Sequence, residues 1–216
     1  TYKIVNTYSP MILSVILSLL ITVVVAMLYK ISNLWILVSL YTGFLIIIRY
    51  IFVIFNFFFR SKYSNPYSIS AHIGLGLLIV SIALNSEFSS ERAINIKLKG
   101  NDTYMGHEIN FDNLELIKMS NHDSVRASFI VNDPKGKRFI LSPEKRKYFT
   151  RGQITTETAI HATPLKDIYI TLGDQLDDGS WIVNIQFNYF IRWVWFSAIL
   201  MALAGSLLAF SLRRAN

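Results

Sequence analysis

Two ionisable side chains stand inside long apolar runs, and they raise the question of chemistry. One is His72, in "YSISAHIGLGLLIVSIALNSEF", residues 67–88; the other is Arg49, in "LWILVSLYTGFLIIIRYIFVIFNFFF", residues 34–59. An ionisable group within a lipid-spanning segment is costly and is read first as a functional site. A neutral imidazole is the commonest metal ligand, and haem iron accepts one as an axial ligand. On a helix, Ser68, His72 and Gly76 share a face, with Ile69 and Leu75 bordering it. Small residues a turn away on either side leave room for a neighbouring helix or for a flat macrocycle. Two readings therefore stay open for His72: ligation of a metal or haem iron, or hydrogen bonding and packing against another helix. Arg49 is either paired, or snorkels to the interface from a tilted span.

The elements that must position these groups follow from hydropathy. The chain has 216 residues, 52% of them hydrophobic, and no cysteine. Its mean hydropathy of +0.40 is too high for an ordinary soluble domain. The lack of cysteine excludes disulfides, thiol catalysis and cysteine-type zinc sites. Four apolar runs are long enough to cross a bilayer: 10–29, 34–59, about 69–85, and about 190–212. Between the third and fourth, the character changes. "AINIKLK", "EINFDNLELI", "VRASFIVND", "KRFILS", "KDIYITLGD" and "WIVNIQFN" alternate with period two, the mark of half-buried strands. "NDPKGK" and "LDDGS" carry turn chemistry. Six to eight short strands in a small antiparallel barrel or sandwich are expected.

Charge orients the spans. Lys3, Arg60, Lys62, Arg213 and Arg214 fall on one side of a four-span chain, and Lys30 in the short opposite loop. The positive-inside rule makes the first side cytoplasmic or matrix, and puts the β segment outside. The net charge of +7 is scattered, with no basic helix or aromatic-basic platform for nucleic acid.

The other candidates are weaker. His107, His122 and His161 lack metal-ligand spacing and read as exposed loop histidines. "RWVW", 192–195, reads as an interfacial aromatic belt. "PEKRKY" and "TTETAI" offer Glu144, Lys145, Arg146 and Glu157 as a polar surface for a partner, or as the solvated edge of the β domain. No catalytic triad, phosphate loop or carboxylate pair is present.

Several stretches together resemble one family. "AHIGLGLLIVSIALNSEFSSER", "SPEKRKYF", "TTETAI", "KDIYITLGDQLDDGSWIVNIQFNYFIRWVW" and "LMALAGSLLAF" are similar, in this order and spacing, to the C-terminal part of the CcmF family of cytochrome c-type biogenesis proteins. The resemblance covers about residues 66–214; residues 1–65 match only as generic spans. It implies a haem lyase that takes haem from a membrane haem chaperone and attaches it to the Cys-x-x-Cys-His motif of apocytochrome c. It also implies a b-type haem held in the membrane by two histidines on different helices. The histidine of "AHIG" matches one of them, which implies that His72 is an axial ligand to haem iron; Arg49, outside the resemblance, is a candidate partner for a haem propionate because a guanidinium binds carboxylates bidentately. The family's tryptophan-rich haem-handling segment, its two outer histidines and its second intramembrane histidine have no counterpart here. Those parts are expected on another polypeptide or on a missing N-terminal portion.

The sequence thus predicts a polytopic α-helical membrane protein with one inserted extracytoplasmic antiparallel β domain. Residues 1–65 form two spans, 66–86 the span carrying His72, 87–188 the β domain and 189–216 the last span. The expected function is as a haem lyase component, inactive alone, that holds haem b. It would sit in a bacterial cytoplasmic or mitochondrial inner membrane, its β domain on the periplasmic or intermembrane side. Expected partners are the remaining lyase subunits, a thioredoxin-like apocytochrome-binding subunit, the haem chaperone, apocytochrome c and lipid, but no nucleic acid. The rival reading is a membrane-anchored docking module without haem.

Overall fold

The computed structural model describes residues 2–60, 65–150 and 152–215, with side chains for 10–56, 65–150 and 152–213. Three helices come first: α1 (Tyr2–Tyr29), α2 (Leu34–Arg60) and α3 (Pro66–Phe88). Ten strands follow, and α4 (Ile191–Ala215) closes the chain. Contacts divide it into a helical unit, Thr1–Phe88 with Tyr189–Asn216, and a β unit, Ser89–Asn188.

Local chemistry sets the helix ends. Lys30 takes a φ of 56°, and Ile31 N–H donates to the Ala26 carbonyl at 3.0 Å, a Schellman closure of α1. Asn33 caps α2, its Oδ1 accepting from Trp35 N–H at 2.9 Å. Asn65 caps α3 in the same way, accepting from Tyr67 N–H at 3.0 Å, with Pro66 as the first helical residue.

Successive helices pack as neighbours, α1 on α2, α2 on α3 and α3 on α4. Glycines set the closest approaches. A Cβ on Gly76 of α3 would stand 2.9 Å from the Gly43 carbonyl oxygen of α2, and one on Gly43 would stand 2.9 Å from that of Gly76. On the other flank of α3, Gly74 meets Ser197 and Met201 of α4. The space beside His72 at Gly76 is thus filled by a helix backbone, not left for a macrocycle. Nearer the far end of α3, Ile36, Leu40, Val80 and Ala83 are buried together. The outward faces stay apolar and exposed, for example at Met11, Leu19, Leu34, Leu203 and Phe210. All four helices have the length and hydropathy to cross a bilayer, and the chain is an integral membrane protein. The side chains of Lys3, Arg60, Lys62 and Arg214, used to orient the spans, lie outside the described residues.

The β unit is a sandwich of two antiparallel sheets. One sheet has the order β1 (Ser90–Ile96), β10 (Trp181–Tyr189), β9 (Lys166–Gln175), β8 (Ala159–Ala162). The other runs β2 (Asn101–Tyr104), β3 (His107–Lys118), β4 (His122–Asn132), β6 (Glu144–Tyr148), β7 (Ile154–Glu157), with β5 (Arg138–Leu141) also on β4. Alternate residues close the core: Ile109 and Phe111, Ala127, Phe129 and Val131, Ile168, Ile170 and Leu172, and Val183, Ile185 and Phe187. Phe111 and Phe129 stack at 4.7 Å between centroids.

Ten strands form where six to eight were expected. The additional ones include β2, β6, β7 and β8, which are only four or five residues long and show no apolar alternation. They form by pairing with neighbours: β6 lies between β4 and β7. "EKRKY" is therefore an interior strand, not an edge.

Candidate functional site

His72 lies on α3 about 9 Å from its first residue, at 1.5 Å of rise per residue. Its Nδ1–H donates to the Ser68 carbonyl at 2.7 Å, the bond an imidazole makes to the turn before it. That places a proton on Nδ1, so in the neutral imidazole the lone pair is on Nε2. No partner occupies Nε2 among the described residues, and the side chain is exposed. The Tyr50 ring of α2 stacks on the imidazole, with centroids 4.4 Å apart and planes 18° apart.

Arg49 and His72 open onto one groove. It is walled by Met11, Ser14 and Val15 of α1, Leu45 and Ile46 of α2, and Tyr50, and holds about 240 Å³. Among the described residues no carboxylate pairs with Arg49. The helical segments carry a single acid, Glu87. It lies eleven residues past Gly76, while Arg49 lies six residues past Gly43 in the opposite direction. The two are therefore about 25 Å apart along the bundle. A half-buried guanidinium with no internal counter-ion is suited to an external carboxylate.

These residues suit haem on one side only. An oriented imidazole and a carboxylate-binding cation share an apolar groove, the donor set such a group requires. The volume, about 240 Å³, is below that of a site enclosing a ligand, so the groove is at most one wall of a larger site. No cluster of three or more metal-binding side chains occurs among the described residues.

In the β unit the four residues proposed for partner contact separate. Glu144 is only 7% exposed, which corrects its expected place on the surface. Its Oε2 accepts from Arg146 at 3.2 Å and from Arg126 at 3.4 Å. The Arg146 bond is the main cause that holds its carboxyl at about 2. Arg146 also bridges Glu157 at 3.3 Å, and Lys145 pairs with Asp174. Beside them a cleft of about 320 Å³ is lined by Leu116, Val125 and Ile154 with Lys118 and Lys147. Lys145 and Arg146 also line this cleft and are half-buried, while Glu157 is exposed.

The three histidines of the β unit are on strands, not loops. His107 is buried in β3; Nδ1–H donates to the Met105 carbonyl at 2.8 Å and Nε2 accepts from Lys166 Nζ at 2.9 Å. This cross-sheet pair had no signal in the sequence. His161 stacks on Phe139 at 3.8 Å, and His122 bonds Asn121. Trp193 and Trp195 at the start of α4 are exposed, which suits an interfacial belt.

Comparison with known proteins comes from three directions. The family model described as "CcmF C-terminal beta-sandwich" matches residues 87–188. The cytochrome c-type biogenesis protein CcmF of Escherichia coli (strain K12) is 33% identical over 157 residues, 71% of this chain and 24% of that protein. Its namesake in Pseudomonas aeruginosa is 32% identical over 145 residues, 66% of this chain and 22% of that protein. The solved structure titled "Cytochrome c Heme Lyase CcmF" superposes with a TM-score of 0.71 at 12% identity, over 89% of this chain and 33% of that one. At that identity the superposition shows the fold. The chain spans about a quarter of the length of these curated relatives.

Proposed function

The chain belongs to the CcmF family, and from that premise we propose that it acts in cytochrome c biogenesis as the C-terminal part of a haem lyase. His72 would hold a b-type haem in the membrane through Nε2, and Arg49 would bind a carboxylate of the same group. When bound, the haem supplies an iron centre that exchanges one electron. The protein's own contribution is to orient the imidazole, neutralise a carboxylate and keep the site apolar. The second ligand and the haem-attachment site belong to another chain or segment, so this chain is not active alone. Its partners are the remaining lyase parts, a haem chaperone, apocytochrome c and a thioredoxin-like apocytochrome-binding subunit. Lys145, Arg146 and Glu157 contribute to a docking surface on the sandwich. The sandwich lies on the periplasmic or intermembrane side, because the basic flanks favour the opposite face.

The observation that carries this reading is the imidazole tied through Nδ1 to Ser68, with Nε2 free on a groove shared with an unpaired guanidinium. The test is a reduced-minus-oxidised spectrum of the purified assembly with its co-purifying partners. A b-type signal lost in His72→Ala, and retained but weaker-binding in Arg49→Gln, is the expected result. Wild-type assembly with no haem would overturn it, and the chain would then be an anchored docking module.

A further inference from the structure

We propose that Tyr50 is a positioning residue that sets the plane of the His72 ring, an inference that rests on the haem reading above. An imidazole on a helix is poorly fixed by its own torsions, because χ2 is a broad sp³–sp² rotation. The bond from Nδ1 to the Ser68 carbonyl, 2.7 Å, selects the tautomer and anchors one edge of the ring. A single hydrogen bond leaves the ring free to swing about that anchor. The Tyr50 ring removes this freedom by lying against the imidazole face, 4.4 Å away and 18° from parallel.

The two constraints come from different helices. Ser68 belongs to α3 and Tyr50 to α2, and the register between them is set by the Gly43–Gly76 crossing, two turns from Tyr50. The ring plane of His72 is therefore a property of the helix pair, not of α3 alone. Groups that orient a metal-bound histidine commonly change metal affinity by about 10–100-fold when removed. Orientation of the ring plane also governs its overlap with the iron orbitals, and so the reduction potential. Tyr50 needs no hydroxyl for this, only a flat face.

The experiment compares wild type with Tyr50→Phe, Tyr50→Leu and Tyr50→Trp in the purified, haem-loaded assembly. Haem dissociation and midpoint potential are the readouts. Tyr50→Phe is expected to match wild type in both. Tyr50→Leu is expected to release haem about 10–100-fold faster and to shift the potential. If Tyr50→Leu does not assemble, Tyr50→Trp decides, since its wider face keeps the helix contact but tilts the imidazole, and a shifted potential is expected. Wild-type potential and retention in Tyr50→Leu, or equal potentials for the Phe and Trp variants, would overturn the positioning role. In that outcome, loss of haem in His72→Ala would leave the ligand reading standing. Wild type without haem would overturn both.

Discussion

The sandwich and the helical unit solve opposite problems. Residues 89–188 carry 13 basic and 13 acidic side chains, and the rest of the chain carries eight basic and one acidic. The whole excess of +7 thus belongs to the helical segments, most of it on their flanks, which is the distribution membrane topology demands and not that of a polyanion-binding domain. Within the sandwich, buried Glu144 and His107 are each paired. Glu144 has two arginines, and buried His107 has a carbonyl and a lysine. Among the described residues of the helical unit, the Arg49 guanidinium has no acid beside it and His72 Nε2 has no partner. The difference separates a module built for stability from one whose polar groups are left available. Loss of a buried pairing should destabilise the first, and removal of an available polar group should alter ligand holding in the second.

That contrast is broken most forcefully at the helix crossing. Gly76→Leu forces α2 and α3 apart, because even a Cβ would meet the Gly43 carbonyl at 2.9 Å. The helical unit should lose its native packing while the sandwich retains its β signal; Gly76→Ala should cost about 1–3 kcal/mol. Circular dichroism with limited proteolysis of the detergent-purified protein distinguishes the two units. Cleavage confined to the sandwich would contradict the assignment.

Glu144→Ala should act in the other direction, on the sandwich alone. Removing an almost buried carboxylate that accepts from two arginines should cost about 1.5–3 kcal/mol, toward the lower end because both arginines are half-exposed. Denaturant unfolding followed by the β-sheet circular dichroism signal measures it. Glu157→Gln, at a more exposed partner, should leave the midpoint almost unchanged. Because the Glu144 carboxyl is held below its ordinary value, its contribution is complete above about pH 4.5 and lost as pH falls through about 2.

A smaller effect should appear nearer neutrality. Burial, aided by the Lys166 charge and opposed by the Met105 carbonyl and by Asp133, lowers the His107 pKa below 6.5. The unfolded chain then binds more protons than the folded one once the pH drops below about 6.5. Stability is full above that value and declines as the pH falls toward the lowered folded value. Thermal unfolding between pH 7.5 and 5 should show this decline, and His107→Gln should flatten it. An unchanged slope in the variant would remove His107 as its cause. The smallest effect is expected at the exposed Lys99–Asp112 pair, where Lys99→Ala should not measurably shift the midpoint.

Much of the architecture was legible in the residues. Long apolar runs marked the four helices, and period-two alternation marked the long strands β3, β4, β9 and β10. The short strands were hidden because "EKRKY" and "ITTE" owe their conformation to pairing with β4 and with each other, not to a buried face. For the same reason Glu144 read as surface: its burial depends on Arg126, eighteen residues away. His72 and Arg49 announced themselves as ionisable groups within apolar runs, but nothing in their spacing said that they share a groove. Tyr50 carried no signal at all, since one aromatic among many in α2 becomes special only once Gly43 and Gly76 fix the register.

The most direct test of the central claim is rescue. His72→Gly, purified with its co-assembling partners, should lose the low-spin b-type spectrum, and millimolar imidazole should restore it by filling the vacated ligand position. A wild-type spectrum in His72→Gly without imidazole would contradict ligation by His72.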